Sequence, residues 1–475
     1  MRDTIVLHVN GREHRVRGRA AFATLSNWLR YDEGATGTKI VCEEGDCGAC
    51  SVLVRHSKEQ EFRVINSCIQ AMYQMDGASV VTVEGLSRDG ALSGVQQAMV
   101  VNHGAQCGYC TPGFVVAMAA LYESRDRVDE ETVRAGLTGN LCRCTGYEPI
   151  IKAALAVDGS SEPRLKVRYP DVPRVDDALQ IERFFAPTTV EDAVQFKAAN
   201  PGCTIVQGGT DVGVWVNKRN FTAPALLSLQ KVRALDGIRE EDGRIVAGAN
   251  ATLADFERFV ETRIPELFRI LNIFGSPQIR NAGTLAGNIA NGSPIADTLP
   301  YLFVADAELE LTGTDGARLV PINRFYLGYK KFDLRPDEII TRVFVPIVRD
   351  TLRLYKVSRR RDLDISAFTA AFRVTVDGGS IAAARIAYGG VGPVVLRLPK
   401  TEAFLAGKPA SLETFEAAAP IARGEIAPIS DVRGSRDYRM QLAENILSKF
   451  WYDAFTGGAP SSAAAPRPAG TATLR

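Results

Sequence analysis

Nine cysteines carry the chemistry of this chain, and their spacing says more than their number. Cys42, Cys47 and Cys50 share one nine-residue loop, Cys42-Glu-Glu-Gly-Asp-Cys47-Gly-Ala-Cys50, and Cys68 follows after seventeen residues. A C-x4-C-x2-C run with a distant fourth thiol is the spacing with which plant-type ferredoxins hold a 2Fe-2S cluster. Gly45 and Gly48 suit such a loop, because wrapping a cluster needs positive φ and backbone N–H groups free to point at sulfur. A zinc site or inert buried thiols are the competing readings, but zinc loops usually pair two short knuckles. Cys107-Gly-Tyr-Cys110 with Cys142-Arg-Cys144 forms a second set of four, one C-x2-C and one C-x-C. By spacing alone, zinc and iron are both open there. Each half stands just before an expected helix N-terminus, whose positive end stabilises thiolates and favours an anionic cluster. Cys203 is left over and reads as a small core residue. His103, on an apolar stretch, reads as a packing residue and not a ligand.

The elements that must position these thiols are legible nearby. Ile5, Leu7 and Val9 alternate, Asn10-Gly11 is a type I′ turn signal, and Val16 lies on the return strand, so the chain opens on a β-hairpin. A short helix over 25–29 and strands at 52–54 and 80–83 complete a small β-rich domain over residues 1–85. From Gly90 to Tyr122 there is no Asp, Glu, Lys or Arg, which predicts two buried helices. Thr111-Pro112 supplies an N-cap and N1 proline, Asp129 starts a third helix, and Thr145-x-x-Glu148 fits a capping box for a fourth. Residues 86–156 therefore read as a four-helix unit. Glycine, serine and three prolines make 157–182 a linker. Beyond it, helix starts at Thr188-x-x-Glu191 and Thr252-x-x-Asp255 alternate with apolar runs such as Ile205-Val206 and Ile245-Val246, an α+β pattern over 183–350. Longer strand-like runs and terminal helices form a subdomain over 351–455, and the Ala-, Pro- and Gly-rich residues 456–475 read as a disordered tail.

Composition excludes several classes. With 56 Lys+Arg against 55 Asp+Glu, the net charge of +1 does not suit a protein that coats nucleic acid or a membrane surface. At 475 residues and 46% hydrophobic the chain is ordinary globular material of about three domains. Four His against nine Cys disfavours His-ligated metals. The N-terminus has no apolar signal core and no run approaches 18 apolar residues, so neither secretion nor a membrane span is expected. A reducing, cytoplasmic setting follows, in which clustered cysteines bind metal instead of forming disulfides.

Neither G-x-G-x-x-G nor G-x-x-x-x-G-K-[ST] occurs. A phosphate cradle has to be built otherwise. Ile205-Val206-Gln207-Gly208-Gly209-Thr210-Asp211-Val212 is a strand running into a Gly-Gly turn, able to form an N–H nest, although a plain tight turn is an equal reading. Arg280-Asn-Ala-Gly-Thr284-Leu-Ala-Gly287-Asn288, running on to Asp297, is a second small-residue loop. Two such segments in one domain point to a dinucleotide cofactor.

Taken together, the motifs at 42–50, 106–113 (Gln-Cys-Gly-Tyr-Cys-Thr-Pro-Gly), 139–147 (Gly-Asn-Leu-Cys-Arg-Cys-Thr-Gly-Tyr), 208–211 and 282–289 resemble the small subunits of bacterial xanthine dehydrogenases, in the molybdenum hydroxylase family. The resemblance covers about residues 3–455, and the cysteine motifs are its most specific part. It implies a β-grasp, plant-type ferredoxin-like domain whose cluster is held by Cys42, Cys47, Cys50 and Cys68. It implies a helical domain with a second 2Fe-2S cluster on Cys107, Cys110, Cys142 and Cys144, and an α+β FAD-binding domain with a C-terminal α+β subdomain. FAD would contact 205–212, Phe274, Thr284, Gly287, Asn288, Asp297, Ile340 and Lys356, and Asp362 or Asp364, in a charged loop by the flavin, would tune access of NAD. Fused family members continue into a molybdopterin-binding portion that is missing here. The resemblance therefore implies a large partner chain with the molybdenum site, assembled as two small and two large chains. Electrons from oxidation of hypoxanthine or xanthine to urate would pass through both clusters to FAD and then NAD. No catalytic acid, base or nucleophile is expected on this chain. The alternatives are the equivalent subunit of an aldehyde or N-heterocycle hydroxylase and, in a different class, a scaffold with two zinc sites.

Overall fold

The structure is a computed structural model that describes residues 1–456 apart from 58, 60, 161–163, 170, 171, 173 and 174. The expected tail beyond 456 lies outside the described residues. The opening hairpin forms as its Asn-Gly turn requires, with Thr4–Val9 paired to Arg12–Arg17 and Asn10 and Gly11 both at positive φ. It joins a five-stranded sheet in the order Arg12–Arg17, Thr4–Val9, Ala78–Val81, Ser51–His56, Arg63–Asn66. The first strand runs parallel to Ala78–Val81 while the other pairs are antiparallel, which is the β-grasp arrangement. The helix Leu25–Tyr31, capped by the Thr24 hydroxyl, buries Leu25, Trp28 and Leu29 against one face of it.

The helical unit contains Gly94–Val101, Thr111–Tyr122, Glu130–Gly136 and Glu148–Leu155. The uncharged second helix is its axis, buried over nearly its whole surface. Asp129 caps the third helix through Thr132 N, as its position predicts. The other two caps differ from expectation. Cys110, not Thr111, is the N-cap of Thr111–Tyr122, and Tyr147 at φ 71° is that of Glu148–Leu155. Thr145 makes no capping box because its hydroxyl is taken by the cysteine loop described below. His103 is exposed, in the left-handed turn after Val101, and not packed on an apolar face.

The expected linker is not a free strap. Leu165–Arg168 is a helical turn whose N–H groups are capped by the Glu123 carboxylate, and Tyr169 is buried with its hydroxyl on Gly85 O. Leu179–Ile181 already pairs with Phe184–Ala186 in the next sheet, so a boundary at 182 would cut a hairpin. That four-stranded sheet includes Thr204–Ile205 and Leu226–Leu227, and a second sheet, Ile238–Glu241, Arg244–Gly248, Ile339–Pro346, Glu308–Gly313, Gly316–Pro321, shares one large core with it. Thr252 caps its helix through Asp255 N as predicted, whereas the cap at 188 is one residue later, at Thr189. The C-terminal unit wraps a sheet of Thr351–Val357, Phe368–Asp377, Ser380–Gly389 and Leu396–Arg397 with the helices Leu412–Gly424 and Arg436–Phe455, joined by the Phe372–Phe450 stack. No described helix is long and apolar enough to cross a membrane.

Candidate redox-cofactor sites

The first four thiols converge where the Cys42–Cys50 loop meets the 3-10 turn Ser67–Ile69. Glu43, Gly45 and Gly48 all take left-handed φ, so the loop curls around its sulfurs. Cys42 is in hydrogen-bond contact with Cys47 and Cys68, and Cys68 with Cys50. Those contacts hold Cys42 far below an ordinary thiol and push Cys47 and Cys68 up, so the array favours thiolate character at Cys42. Around it, Asn66 donates to Gly45 O at 2.7 Å and Ser67 Oγ to Cys50 O at 2.6 Å.

The second four thiols meet in two pairs. Cys107 and Cys144 approach to 3.6 Å, and Cys110 contacts Cys142. Burial and that contact push Cys110 up to about 12. Cys142 goes the other way: burial would raise it, but the Thr145 hydroxyl and N–H and the Cys144 N–H more than offset that. Thr145 Oγ1 lies 3.2 Å from Cys142 Sγ and accepts from Tyr147 N at 3.1 Å, while Tyr147 OH accepts from Cys142 N at 3.1 Å. That network uses the hydroxyl expected to cap the helix. Among the described residues no three His, Cys, Asp or Glu side chains are arranged as donors to a single metal ion. In the second set the two pairs, Cys107 with Cys144 and Cys110 with Cys142, would suit the four-thiolate ligand set of a 2Fe-2S centre.

The two sites are joined. Leu141 N donates to Cys47 O at 3.0 Å, and Asn140 Nδ2 to Gly48 O at 3.1 Å. A Cβ on Gly48 would stand 2.1 Å from Gly139 O, so only glycine permits this approach. Gln278, from the third unit, closes the junction by donating to Asn140 Oδ1 at 2.9 Å and Ser51 Oγ at 3.2 Å.

The two glycine-rich segments, far apart in sequence, also meet. A Cβ on Gly208 would lie 1.9 Å from Ala282 O, and Thr210 Oγ1 lies against Gly283. Thr284 caps the helix Leu285–Asn291 through Gly287 N, Asn288 Oδ1 accepts from Thr298 Oγ1, and Asn291 reaches Asp211 at 3.2 Å. Gln207, Gly208 and Thr284 line a cavity of about 700 Å³ together with Gln70 and Gln74 of the first domain. Asp297 and Lys356 form a buried pair at 2.5 Å, and Ser366 Oγ holds the other Asp297 oxygen. Ile340 is buried in the large core, and Ile205 and Phe274 pack against its edge, as does Cys203. Asp364 is engaged by Arg360, and that loop faces Asp46 of the first cysteine loop, whose carboxyl burial and Cys42 push up while Arg360 opposes. Asp362 is half-buried.

Several residues that build these sites have no counterpart among the sequence motifs: Asn217, Gln70, Gln74 and Gln278. Gln70 and Gln74 donate to Gly208 O and Gln207 O at 2.7 and 2.9 Å, gripping the Gly-Gly turn from the ferredoxin-like domain. Their partners are more than 130 positions away, beyond any local spacing rule; their one local signal is an amide side chain beside a cysteine or glycine motif.

Sequence models of three families match this chain: a [2Fe-2S] binding domain over 82–155, the FAD binding domain in molybdopterin dehydrogenase over 179–348, and the CO dehydrogenase flavoprotein C-terminal domain over 353–454. Xanthine dehydrogenase 1 of Arabidopsis thaliana is 30% identical over 94% of this chain and 39% of its own length. The xanthine dehydrogenase of Emericella nidulans is 28% identical over 95% of this chain and 38% of its own length. The chain thus spans about two fifths of the length of the curated relatives it matches. Among solved structures, quinoline 2-oxidoreductase from Pseudomonas putida 86 aligns with TM-score 0.54 at 28% identity, over 57% of this chain and 96% of that one. Carbon monoxide dehydrogenase from Hydrogenophaga pseudoflava aligns with TM-score 0.55 at 29% identity, over 58% and 97%.

Proposed function

From the premise that this chain is a FAD and iron-sulfur protein of the molybdenum hydroxylase family, akin to its small subunits, we propose that it is the electron-transfer subunit of a xanthine dehydrogenase. When bound, two 2Fe-2S clusters carry single electrons and FAD collects two of them for hydride transfer. Cys42, Cys47, Cys50 and Cys68 hold one cluster, and Cys107, Cys110, Cys142 and Cys144 the other. The turn 205–212 with Thr284, Gly287 and Asn288 takes the FAD phosphates. Phe274, Asp297, Ile340 and Lys356 complete its surroundings, and the Arg360–Asp364 loop sets access of NAD. The ferredoxin-like, helical, FAD-binding and C-terminal units occupy 1–85, 86–156, 179–350 and 351–455.

The observation that carries this reading is the order of contacts: Cys142 follows Leu141, whose N–H is on Cys47 O, and the loop of Cys68 in turn grips the Gly-Gly turn. That is a continuous route from the more exposed thiol set, through the buried one, to the flavin. A large partner chain with the molybdenum site completes the reaction, in a cytoplasmic complex of two small and two large chains that oxidises hypoxanthine and xanthine to urate. Purified protein should contain about four irons, as two 2Fe-2S clusters require, and one FAD. The co-purified complex should reduce NAD with xanthine, and a colourless zinc protein would overturn the reading. Likeness to the quinoline and carbon monoxide enzymes favours a second reading in which the partner oxidises another substrate; activity on an N-heterocycle or aldehyde but not xanthine would select it.

A further inference from the structure

We propose that Asn217 is a positioning residue that ties the first cysteine site to the flavin turn and, through the peptides it holds, raises the reduction potential of the centre bound there. This rests on the assignment of that site to a 2Fe-2S cluster and of the turn to FAD. The helix Val212–Arg219 starts where the Gly208–Asp211 turn ends, so its position is fixed at one end by the flavin site. Gly213, Val214 and Asn217, one face of that helix, lie on the cysteine loops. Val214 packs on Cys50, Cys68 and Ile69. Gly213 comes so close that a Cβ would stand 2.2 Å from Ile69 O.

Asn217 makes the polar half of the contact. Its Nδ2 donates to Glu43 O at 2.9 Å and to Cys68 O at 2.8 Å. One amide carries two protons, so both bonds form at once. Each acceptor belongs to a peptide beside a thiol: Glu43 follows Cys42, and the other carbonyl is that of Cys68 itself. Glu43 holds φ 56°, a conformation that a non-glycine residue keeps only when its surroundings impose it. Asn217 therefore pins the two ends of the four-thiol array to one helix, and that helix begins at the flavin turn.

The electrostatic consequence follows from the same bonds. Reduction adds one negative charge at the cysteine site, and donors that polarise the surrounding peptides stabilise that charge. Potentials of such centres are set by hydrogen bonding and burial. Without the carboxamide the centre becomes harder to reduce.

The test is redox potentiometry of the full chain with its cofactors, each iron-sulfur centre followed by its own paramagnetic signal. Asn217→Leu, which keeps the volume and removes both donors, should lower the midpoint potential of the first centre alone. Asn217→Asp, which also adds a negative charge, should lower it further, and Asn217→Gln should fall between Asn217→Leu and the parent. Iron and FAD content should match the parent. Unchanged potentials in both the Leu and Asp variants, or equal shifts of both centres, would overturn the proposal. Loss of the first centre in these variants, alone or together with the second, would count against the proposal, because iron content is expected to match the parent. A parent chain without two separate iron-sulfur signals would instead remove the reading beneath the proposal.

Discussion

In the first cysteine site Cys50 and Cys68 are buried and Cys42 and Cys47 half-buried, whereas in the second Cys107 and Cys144 stand exposed and only Cys142 is buried. The first is enclosed by two units at once. The Cys42–Cys50 loop and the 3-10 turn Ser67–Ile69 of the first unit supply the thiols, and the helix Val212–Arg219, which follows the Gly-Gly turn, covers them. Ion pairs lock those units together: Asp76 bridges Arg2 and Lys231, and Arg63 pairs with Asp255. Among the described residues the second site has no such cover, and exposed apolar residues surround it, including Tyr109 at 50%, Leu141 at 37% and Tyr147 at 36%. An exposed apolar rim around a redox site is what a partner surface would need to exclude water from the transfer. The contrast separates an enclosed four-thiol site from an open one.

The hardest way to break the comparison is to remove one thiol from each site. Cys50→Ser should abolish the first centre and halve the iron from about four to about two, and it should also destabilise the domain, because a polar hydroxyl replaces a sulfur 2% exposed in the core. Cys144→Ser should halve the iron too but leave the thermal unfolding of the flavin-free fold nearly unchanged, since Cys144 is exposed. Iron analysis and melting curves of the two variants check this; equal destabilisation would erase the distinction between buried and open sites.

Gly48→Ala attacks the joint between the sites. Gly48 has φ 68°, and the new Cβ would meet Gly139 O at 2.1 Å, a backbone atom that cannot swing aside. Positive φ and overpacking each cost about 1–3 kcal/mol, so a loss of about 3 kcal/mol is expected, read by denaturant unfolding. Both centres should be perturbed spectroscopically, because the same residue anchors Asn140 and, one position away, Leu141.

Asp76 tests the lock between units. Burial would raise its carboxyl, but Arg2 and Lys231 and the Val6 N–H more than reverse this, so it is held below the usual carboxylate value. A depressed carboxylate contributes stability above its unfolded pKa of about 4 and loses it as pH falls through the folded value. Asp76→Asn leaves Arg2 and Lys231 without their anion and should cost about 3 kcal/mol at neutral pH. Stability of parent and variant should draw together only as pH falls below about 4 and through the depressed folded value, where the parent's carboxyl is itself protonated. A parallel offset at all pH values would show that the pair is not the lock.

How much of this was legible in the sequence depends on the range of the interaction. The opening hairpin followed from Asn10-Gly11, the buried helix from the uncharged run 90–122, and caps at Asp129 and Thr252 from local side-chain chemistry. Thr145 was misread because spacing alone cannot reveal that a cysteine sulfur and the Tyr147 N–H compete for its hydroxyl. His103 was misread because its apolar neighbours hid the helix end at Val101. Asn217, Gln70, Gln74 and Gln278 were invisible for a common reason: each bonds a backbone or amide group in another unit, and only the folded chain brings those groups together.

The smallest effect sharpens the comparison most cleanly, because it changes only the open site. Gly108 lies between Cys107 and Cys110 at φ 80°, the same left-handed region as Gly48, yet a Cβ there would meet nothing within 4 Å. Gly108→Ala therefore pays the backbone term without the steric one, and about 1 kcal/mol is expected at the low end of left-handed strain. Denaturant unfolding of Gly48→Ala and Gly108→Ala side by side isolates enclosure as the variable, since substitution and backbone region are shared. If the open site lost as much stability as the joint, the cost would belong to φ alone, and the crowding of Gly48 between two cysteine loops would carry no energy of its own.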